Sequence, residues 1–151
     1  MMNNGFSTWV KWDDRNKFNG ISLPGVYVIA FSKKDISGNS FKWTRDIIYI
    51  GMTNSKGGLK SRLQQFENTI KGREGHGGAR RVRYKYPNHK ALIPQLYVSI
   101  WLTECNVESN KPADLLAMGD VAKREYECFA CFVKRYGQLP EFNDKKRSPK
   151  K

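Results

Sequence analysis

Two short apolar segments, Gly25-Val-Tyr-Val-Ile-Ala-Phe31 and Asp46-Ile-Ile-Tyr-Ile-Gly51, decide the fold of this chain. Both are rich in β-branched and aromatic residues and both have the length of a buried strand. The stretch between them, residues 32–45, is polar and contains Ser37-Gly38-Asn39 but no helical pattern. We therefore expect an antiparallel hairpin with a long connecting loop.

Other elements are predicted after this hairpin. The segment Leu96-Tyr-Val-Ser-Ile-Trp-Leu102 is a third strand candidate because it consists mainly of strong strand formers. A helix after Gly51 and a second helix from about Pro112 to Tyr136 are indicated by apolar residues spaced three and four apart. The stripe of the first helix is Leu59, Leu63, Phe66 and Ile70, and that of the second is Ala122, Tyr126, Phe129, Val133 and Tyr136. We expect both stripes to be buried.

The chain of 151 residues is long enough for one domain with a genuine core. We expect an N-terminal arm (residues 1–23) packed on a domain of residues 24–143, followed by a flexible basic tail, residues 144–151. Apolar runs are too short for a membrane span, and the first residues lack the form of a signal peptide. The odd number of cysteines, three, fits a reducing compartment. We therefore expect a cytoplasmic protein that does not enter a membrane.

The charge balance indicates a polyanionic partner. The chain carries 27 Lys and Arg against 14 Asp and Glu, a formal net charge of +13, and basic side chains that neutralise phosphates release counterions. Residues 72–90, predicted as a Gly-rich loop, are the most basic part outside the tail. Five side chains there are expected to hold a nucleic-acid backbone: Arg73, Arg80, Arg81, Arg83 and Lys85. A surface that is basic only for solubility, or an attraction to an anionic membrane, would not explain why these residues lie among tyrosines.

Gly25-Val26-Tyr27 in one strand and Tyr49-Ile50-Gly51 in the next resemble the two half-motifs of the GIY-YIG nuclease superfamily. The resemblance continues with Arg62 in the following helix, an acidic residue in the later helix and Pro140-Glu-Phe-Asn143 at the end, so that it covers roughly residues 24–143. It implies an α+β fold with a small three-stranded antiparallel sheet flanked by helices. It also implies a phosphodiesterase site that depends on Mg²⁺ or Mn²⁺.

The same resemblance implies a role for each matching residue. Tyr27 would help to deprotonate the attacking water, Tyr49 would hold the water or the phosphate, and Arg62 would stabilise the charged phosphate. Gly51 and Asn143 would orient the site. A Glu would bind the metal.

One histidine of the predicted site has two interpretations. His76 lies in the Gly-rich segment, where some family members carry a His, and it would assist proton transfer or contact a phosphate; a plain loop residue is the alternative. Some branches place a His one turn after the catalytic Arg. This chain has Phe66 at that position.

Two carboxylates compete for the metal. At about 100° per residue, Glu125 lies about 40° from the centre of the predicted Phe129 stripe, whereas Glu127 lies near the opposite side. Glu125 is therefore the predicted metal ligand and Glu127 a solvated residue, while an ion pair with a buried Arg is the structural alternative for Glu125. The Cys128-x-x-Cys131 spacing falls inside the predicted helix without a knuckle turn, which disfavours a zinc site.

The predicted function is a metal-dependent endonuclease that hydrolyses DNA phosphodiester bonds. A nucleic-acid-binding module that keeps the fold but does not cut is the alternative, and a basic RNA-associated protein with an accidental motif match is a third. Because one site cuts one strand, a homodimer is open, but no segment identifies its interface. DNA is the predicted partner, while the sequence leaves open whether RNA is a substrate and which duplex or junction is cut.

Overall fold

The structure is a computed structural model that describes residues 5–148. Its centre is a four-stranded antiparallel sheet in the order β1-β4-β2-β3. The strands are β1 (Val10–Lys11), β2 (Gly25–Phe31), β3 (Ile47–Thr53) and β4 (Leu96–Leu102). The predicted α+β class is confirmed, but the predicted number of three strands is wrong. The short β1, from the N-terminal segment, pairs with β4 and makes the fourth strand.

Four helices surround the sheet: α1 (Gly58–Ile70), α2 (Gly77–Lys85), the single turn α3 (His89–Leu92) and α4 (Pro112–Tyr136). Short 3₁₀ turns cover Trp12–Lys17, Ile93–Gln95 and Glu141–Asn143. The prediction of a loop over residues 72–90 is wrong, because α2 occupies its middle. This helix buries Ala79 and Val82 against the sheet, and tertiary burial of this kind stabilises a short helix that propensity alone does not indicate.

The sheet is buried on both faces. Alternate residues of β2 point to opposite sides, so that Tyr27 and Ile29 join a core with α1 and α2, while Val26, Val28 and Ala30 join a core with α4. Burial on both faces explains why β2 is apolar throughout rather than alternating.

β3 is an edge strand with a bulge. Ile29 pairs with Tyr49 but the next residue, Ala30, pairs with Ile47, so that Ile48 is the extra residue on β3. As a result Ile48 and Tyr49 both contribute to the core with α1 and α2. Because β3 is the last strand of the sheet within residues 5–148, side chains from helices on the two faces can meet around this edge.

The N-terminal segment packs on α1 through a partly buried carboxylate. Glu67 Oε1 accepts a hydrogen bond from Trp12 Nε1 at 3.0 Å and pairs with Arg15 Nη1 at 3.1 Å. Trp12 and Arg15 are both buried, and the Trp12 ring packs on Phe66. Burial of the indole and of a paired guanidinium explains how a polar segment is held on the domain.

The predicted buried stripe of α4 is only partly correct, because Phe129 and Tyr136 pack against the core but do not form its centre. The helix packs on the sheet with Val121, Cys128 and Phe132, whereas Tyr126 is 72% and Val133 39% exposed. The packed stripe is rotated by about one residue, or about 100°, from the predicted one. Both stripes are apolar, so periodicity alone could not decide which one meets the sheet.

The predicted flexible tail begins with an ordered turn. Ser148 donates from both its backbone N–H and its hydroxyl to the carbonyl of Asp144, and Arg147 pairs with the Asp144 carboxylate. Residues 149–151 of that prediction lie outside the described residues. Within residues 5–148, no helix is long and apolar enough to cross a membrane.

Candidate functional site

Tyr27 lies in the middle of β2 with its side chain fully buried. Its ring lies directly over Gly51, its partner on β3; a Cβ atom at Gly51 would come within 2.4 Å of the ring and hydroxyl. Gly51 is therefore required for the position of Tyr27. Burial raises the pKa of the Tyr27 phenol well above its usual range, and neighbouring Tyr49 adds to this effect.

His76 reaches the same site from the start of α2. Its Nδ1 accepts a hydrogen bond from the backbone N–H of Ala79, which makes His76 the N-cap of the helix, and its Nε2 lies 2.8 Å from the Tyr27 hydroxyl. His76 is thus a buried site residue and not a plain loop residue. Burial, together with the nearby cations Arg62 and Arg81, lowers the pKa of His76 to about 3.

Tyr49 packs against both His76 and α1. Its ring lies over Gly78 of α2, where a Cβ atom would come within 2.3 Å of it. The rings of Tyr49 and His76 have centroids 5.4 Å apart, and Phe66 packs on His76 at 5.0 Å. The position one turn after Arg62 is therefore filled by an aromatic ring, while an imidazole reaches the site from α2 instead.

Arg62 is the cation whose charge acts on Tyr27, Tyr49 and His76. It lies half-buried on α1, where it donates a hydrogen bond to Gln65 Oε1. Its positive charge lowers the pKa values of both phenols and of the Glu125 carboxyl, and it opposes protonation of His76. One guanidinium therefore acts on all four of the other predicted catalytic side chains.

Glu125 approaches from α4, on the other face of the sheet. It lies on the packed stripe between Val121 and Cys128, and burial raises the pKa of its carboxyl to about 6, an effect that Arg62 opposes. Glu127 is exposed and lies 3.8 Å from Arg124 in an ion pair. Glu125 faces the sheet and Glu127 faces solvent, as predicted. The prediction measured both positions from the Phe129 stripe, whereas the stripe that packs on the sheet is the neighbouring one.

Asn143 binds the backbone of β3 beside Tyr49. Its side-chain oxygen accepts from the Ile50 N–H at 2.8 Å and its amide donates to the Ile50 carbonyl at 2.8 Å. Ile50 lies between Tyr49 and Gly51, so this amide fixes the free edge of β3 at the candidate site. An amide side chain is well suited to this contact because it carries one donor group and one acceptor side by side.

The prediction that Arg81 contacts nucleic acid is wrong. Arg81 is buried, and its Nε and Nη2 atoms donate to the carbonyl of Phe142 at 3.0 and 2.7 Å. It thereby connects α2 with the 3₁₀ turn that carries Asn143, and its charge acts on Tyr49 and His76. Sequence reasoning missed this role because a basic residue in a basic segment is expected at the surface.

The other predicted backbone-binding residues lie at or near the surface, and three of them have partners. Arg80 pairs with Glu74 at 3.1 Å, Lys85 pairs with Glu141 at 2.6 Å, and Arg83 donates to the carbonyls of Thr69 and Arg73. Exposed ion pairs of this kind contribute little to stability. Arg80 and Lys85 are therefore free to exchange their carboxylate partners for a phosphate at small cost.

Among residues 5–148, no three His, Cys, Asp or Glu side chains are grouped so that they could hold a metal ion. Cys128 is buried, and burial raises the pKa of its thiol to about 12, so it packs as a small apolar side chain. Glu125 is the carboxylate that faces the tyrosines and Arg62.

The chain matches no protein-family model, no curated protein and no solved structure.

Proposed function

We propose that this protein is a GIY-YIG-type endonuclease that hydrolyses DNA phosphodiester bonds with the help of Mg²⁺ or Mn²⁺. The observation that supports this most strongly is the convergence of two phenols, a guanidinium and a carboxylate from four different elements. Tyr27, Tyr49, Arg62 and Glu125 come from β2, β3, α1 and α4, and their charges act on one another. Perturbed groups of complementary type are typical of active sites.

The residues suit hydrolysis of a phosphodiester. Attack on the phosphorus places additional negative charge on the phosphate oxygens, and the half-buried Arg62 is a permanent cation beside the position where that charge would develop. The half-buried Tyr49 keeps its proton at neutral pH, since a phenol ordinarily titrates at about 10 and burial raises the pKa of Tyr49 above that value. Its hydroxyl can therefore donate a hydrogen bond to a phosphate oxygen or accept one from water.

Glu125 fits one ligand position of a magnesium ion. Mg²⁺ in proteins is often held by one or two carboxylates, with water and substrate phosphate completing its shell. The raised pKa of Glu125 indicates a carboxylate whose negative charge is only partly compensated by Arg62, and a cation would complete that compensation. When bound, the ion supplies positive charge and lowers the pKa of water.

Tyr27 is better suited to positioning than to proton abstraction. The raised pKa of its phenol keeps it protonated at neutral pH. The Ala79 N–H occupies His76 Nδ1, so the neutral imidazole carries its proton on Nε2 and donates it to the Tyr27 hydroxyl. The phenol proton then points away from His76 and toward Tyr49, and neither ring is an available base.

DNA binding is proposed from charge. The net charge of +13 favours any polyanion, and Arg73, Arg80, Arg83 and Lys85 lie on α2 and beside it, next to the site residue His76. Contacts from these residues to phosphates would be largely independent of sequence.

The test is cleavage of supercoiled plasmid DNA at low salt with Mg²⁺, with Mn²⁺ and with EDTA. We expect nicking by the wild type in either metal and none in EDTA. Glu125→Gln, which keeps the shape of the side chain, should lower the rate at least about 100-fold. Its matched control is Glu127→Gln, two residues along the same helix and exposed, which should cut at the wild-type rate. Equal rates for the two variants would contradict the assignment.

A binding module without activity is the second candidate, and the buried, protonated state of Tyr27 favours it. It predicts that DNA is retarded in a gel by the wild type and by Glu125→Gln alike, with no cleavage in either metal.

A further inference from the structure

Helix α4 exposes more apolar surface than a solvated helix requires. Five large apolar side chains are exposed in the described part of the chain, and four of them lie on α4: Leu115 at 50%, Leu116 at 71%, Tyr126 at 72% and Val133 at 39%. Single exposed apolar residues are ordinary, but a contiguous group on one element indicates an interaction surface.

Most of these side chains share one stripe with smaller residues. Its members, spaced four and three residues apart in alternation, are Leu115, Gly119, Ala122, Tyr126, Phe129 and Val133. We call this the outer stripe; it is about 27 Å long at 1.5 Å per residue. The stripe that packs on the sheet lies beside it, and the half-buried Phe129 borders both, since it also packs on the core with α4. The outer stripe is therefore a second apolar face of the same helix.

The outer stripe is complementary to itself in size. In an antiparallel pair of α4 helices whose two-fold axis is level with residue 124, Leu115 of one copy lies level with Val133 of the other. In the same pair Gly119 lies level with Phe129, and Ala122 with Tyr126. Each small residue thus meets an aromatic one. A Cβ atom at Gly119 would have no atom within 4 Å in the single chain, so space for the Phe129 ring of a second copy is already open.

A parallel pair lacks this complementarity. It would set Tyr126 against Tyr126 and leave Gly119 against Gly119, so that large side chains collide while small ones leave a gap. The antiparallel pair also opposes the helix dipoles. On one side of the outer stripe, Lys123 of each copy lies near the level of Glu127 of the other, which places opposite charges together.

From these relationships we infer that α4 is the contact surface of an antiparallel homodimer, with a second copy of this chain on the outer stripe. A single helix pair buries less than the roughly 800 Å² per partner of a standard interface. The dimer is therefore reversible, with a dissociation constant between about 1 and 100 µM. Self-association does not depend on the nuclease proposal.

The experiment is sedimentation velocity of the full chain, without DNA, from roughly 1 to 300 µM. We expect the wild type to pass from monomer to dimer over this range. Gly119→Leu should weaken the dimer at least about tenfold, because the new side chain fills the space needed by Phe129. It should not lower the melting temperature, since leucine favours a helix more than glycine does. The matched control Ala113→Leu places the same side chain at an exposed position off the stripe and should leave the dimer unchanged.

A double variant tests the register of the pair. Gly119→Leu combined with Phe129→Ala exchanges large and small across the interface and should restore dimerisation to within about threefold of the wild type. A wild type that stays monomeric at every concentration would overturn the inference. So would a Gly119→Leu dimer as strong as the wild type, or a double variant no better than the single one.

Discussion

The Nε2 atom of His76 and the hydroxyl oxygen of Tyr27 lie 2.8 Å apart in the buried centre of the candidate site. Because His76 Nδ1 accepts the Ala79 N–H, the start of α2 fixes both the position and the tautomer of the imidazole. One hydrogen bond therefore connects the central strand to a helix that the sequence did not indicate. The same hydrogen bond therefore contributes to the stability of the fold as well as to the geometry of the candidate site.

Acid should destabilise the protein through His76. Its pKa is about 3 in the folded chain against 6.5 as the ordinary value, so between these values the unfolded chain binds a proton that the folded chain does not. The contribution of His76 to the free energy of unfolding should fall by up to about 1.4 kcal/mol for each pH unit between about 6.5 and about 3. His76→Asn keeps a helix-capping side chain but lacks this contribution. The stability difference between the two proteins should therefore carry this slope, while Glu125 acts with the opposite sign in both. Urea unfolding at pH 7.5, 6 and 5 compares the two proteins, and parallel pH curves would show that His76 titrates normally.

Glu125→Gln should stabilise the protein while abolishing cleavage. Because burial raises the pKa of this carboxyl from 4.5 to about 6, the folded chain holds the proton more tightly. The cost of ionisation grows as pH rises through this window and is complete above about 6. We expect the variant to be more stable by roughly 1–2 kcal/mol at pH 7.5 and no more stable than wild type below pH 4.5. Thermal melts in EDTA at both pH values measure this, with Glu127→Gln expected within about 0.5 kcal/mol of wild type.

Gly51→Ala should disturb the fold and the site together. The added methyl group would lie 2.4 Å from the Tyr27 ring, which is buried and has no free space to move into. We expect a loss of roughly 1–3 kcal/mol in urea unfolding. Gly119→Ala, where the methyl group meets open space, should be neutral or stabilising by up to about 1 kcal/mol. Equal stability of the two variants would mean that Tyr27 does not lie over Gly51.

Asn143→Ala should weaken the hydrogen bonding at the edge of β3. It leaves the Ile50 N–H and carbonyl without the two 2.8 Å bonds that they make in the folded chain, at a cost of about 1–3 kcal/mol. Faster hydrogen exchange at the Ile50 amide, with little change at the central strand β2, is the expected signature. Asn68→Ala removes an exposed side-chain bond to Gln64 and serves as the control. Unchanged exchange at Ile50 would contradict this role.

Arg81 and Arg80 should behave as different kinds of residue although they are neighbours. Arg81→Ala removes two bonds to the Phe142 carbonyl from a buried position and should cost about 2–4 kcal/mol of stability. Arg80→Ala should change stability by less than about 0.5 kcal/mol. In DNA-binding titrations, Arg80→Ala should instead reduce the slope of log K against log salt by about 0.9. An Arg81→Ala protein of wild-type stability would exclude the structural role.

The strands and α1 were predictable because their signals are local. The β-rich composition of residues 25–31, 47–53 and 96–102 and the Leu59 to Ile70 spacing each lie within one element. In contrast, β1 is two residues long and forms only because β4 offers a free edge to Val10 and Lys11. Helix α2 begins at a His, a residue that is not a typical cap, and is stabilised by what it covers.

The sequence by itself determined the α+β class, the three long strands and the identity of the side chains that the candidate site contains. Only the tertiary structure decided which of them meet. It turned Arg81 inward to Phe142, gave His76 a buried partner in Tyr27, and selected one of two apolar stripes on α4. The physical reason is that periodicity and composition are properties of one segment, whereas burial and pairing depend on the surface that another segment presents.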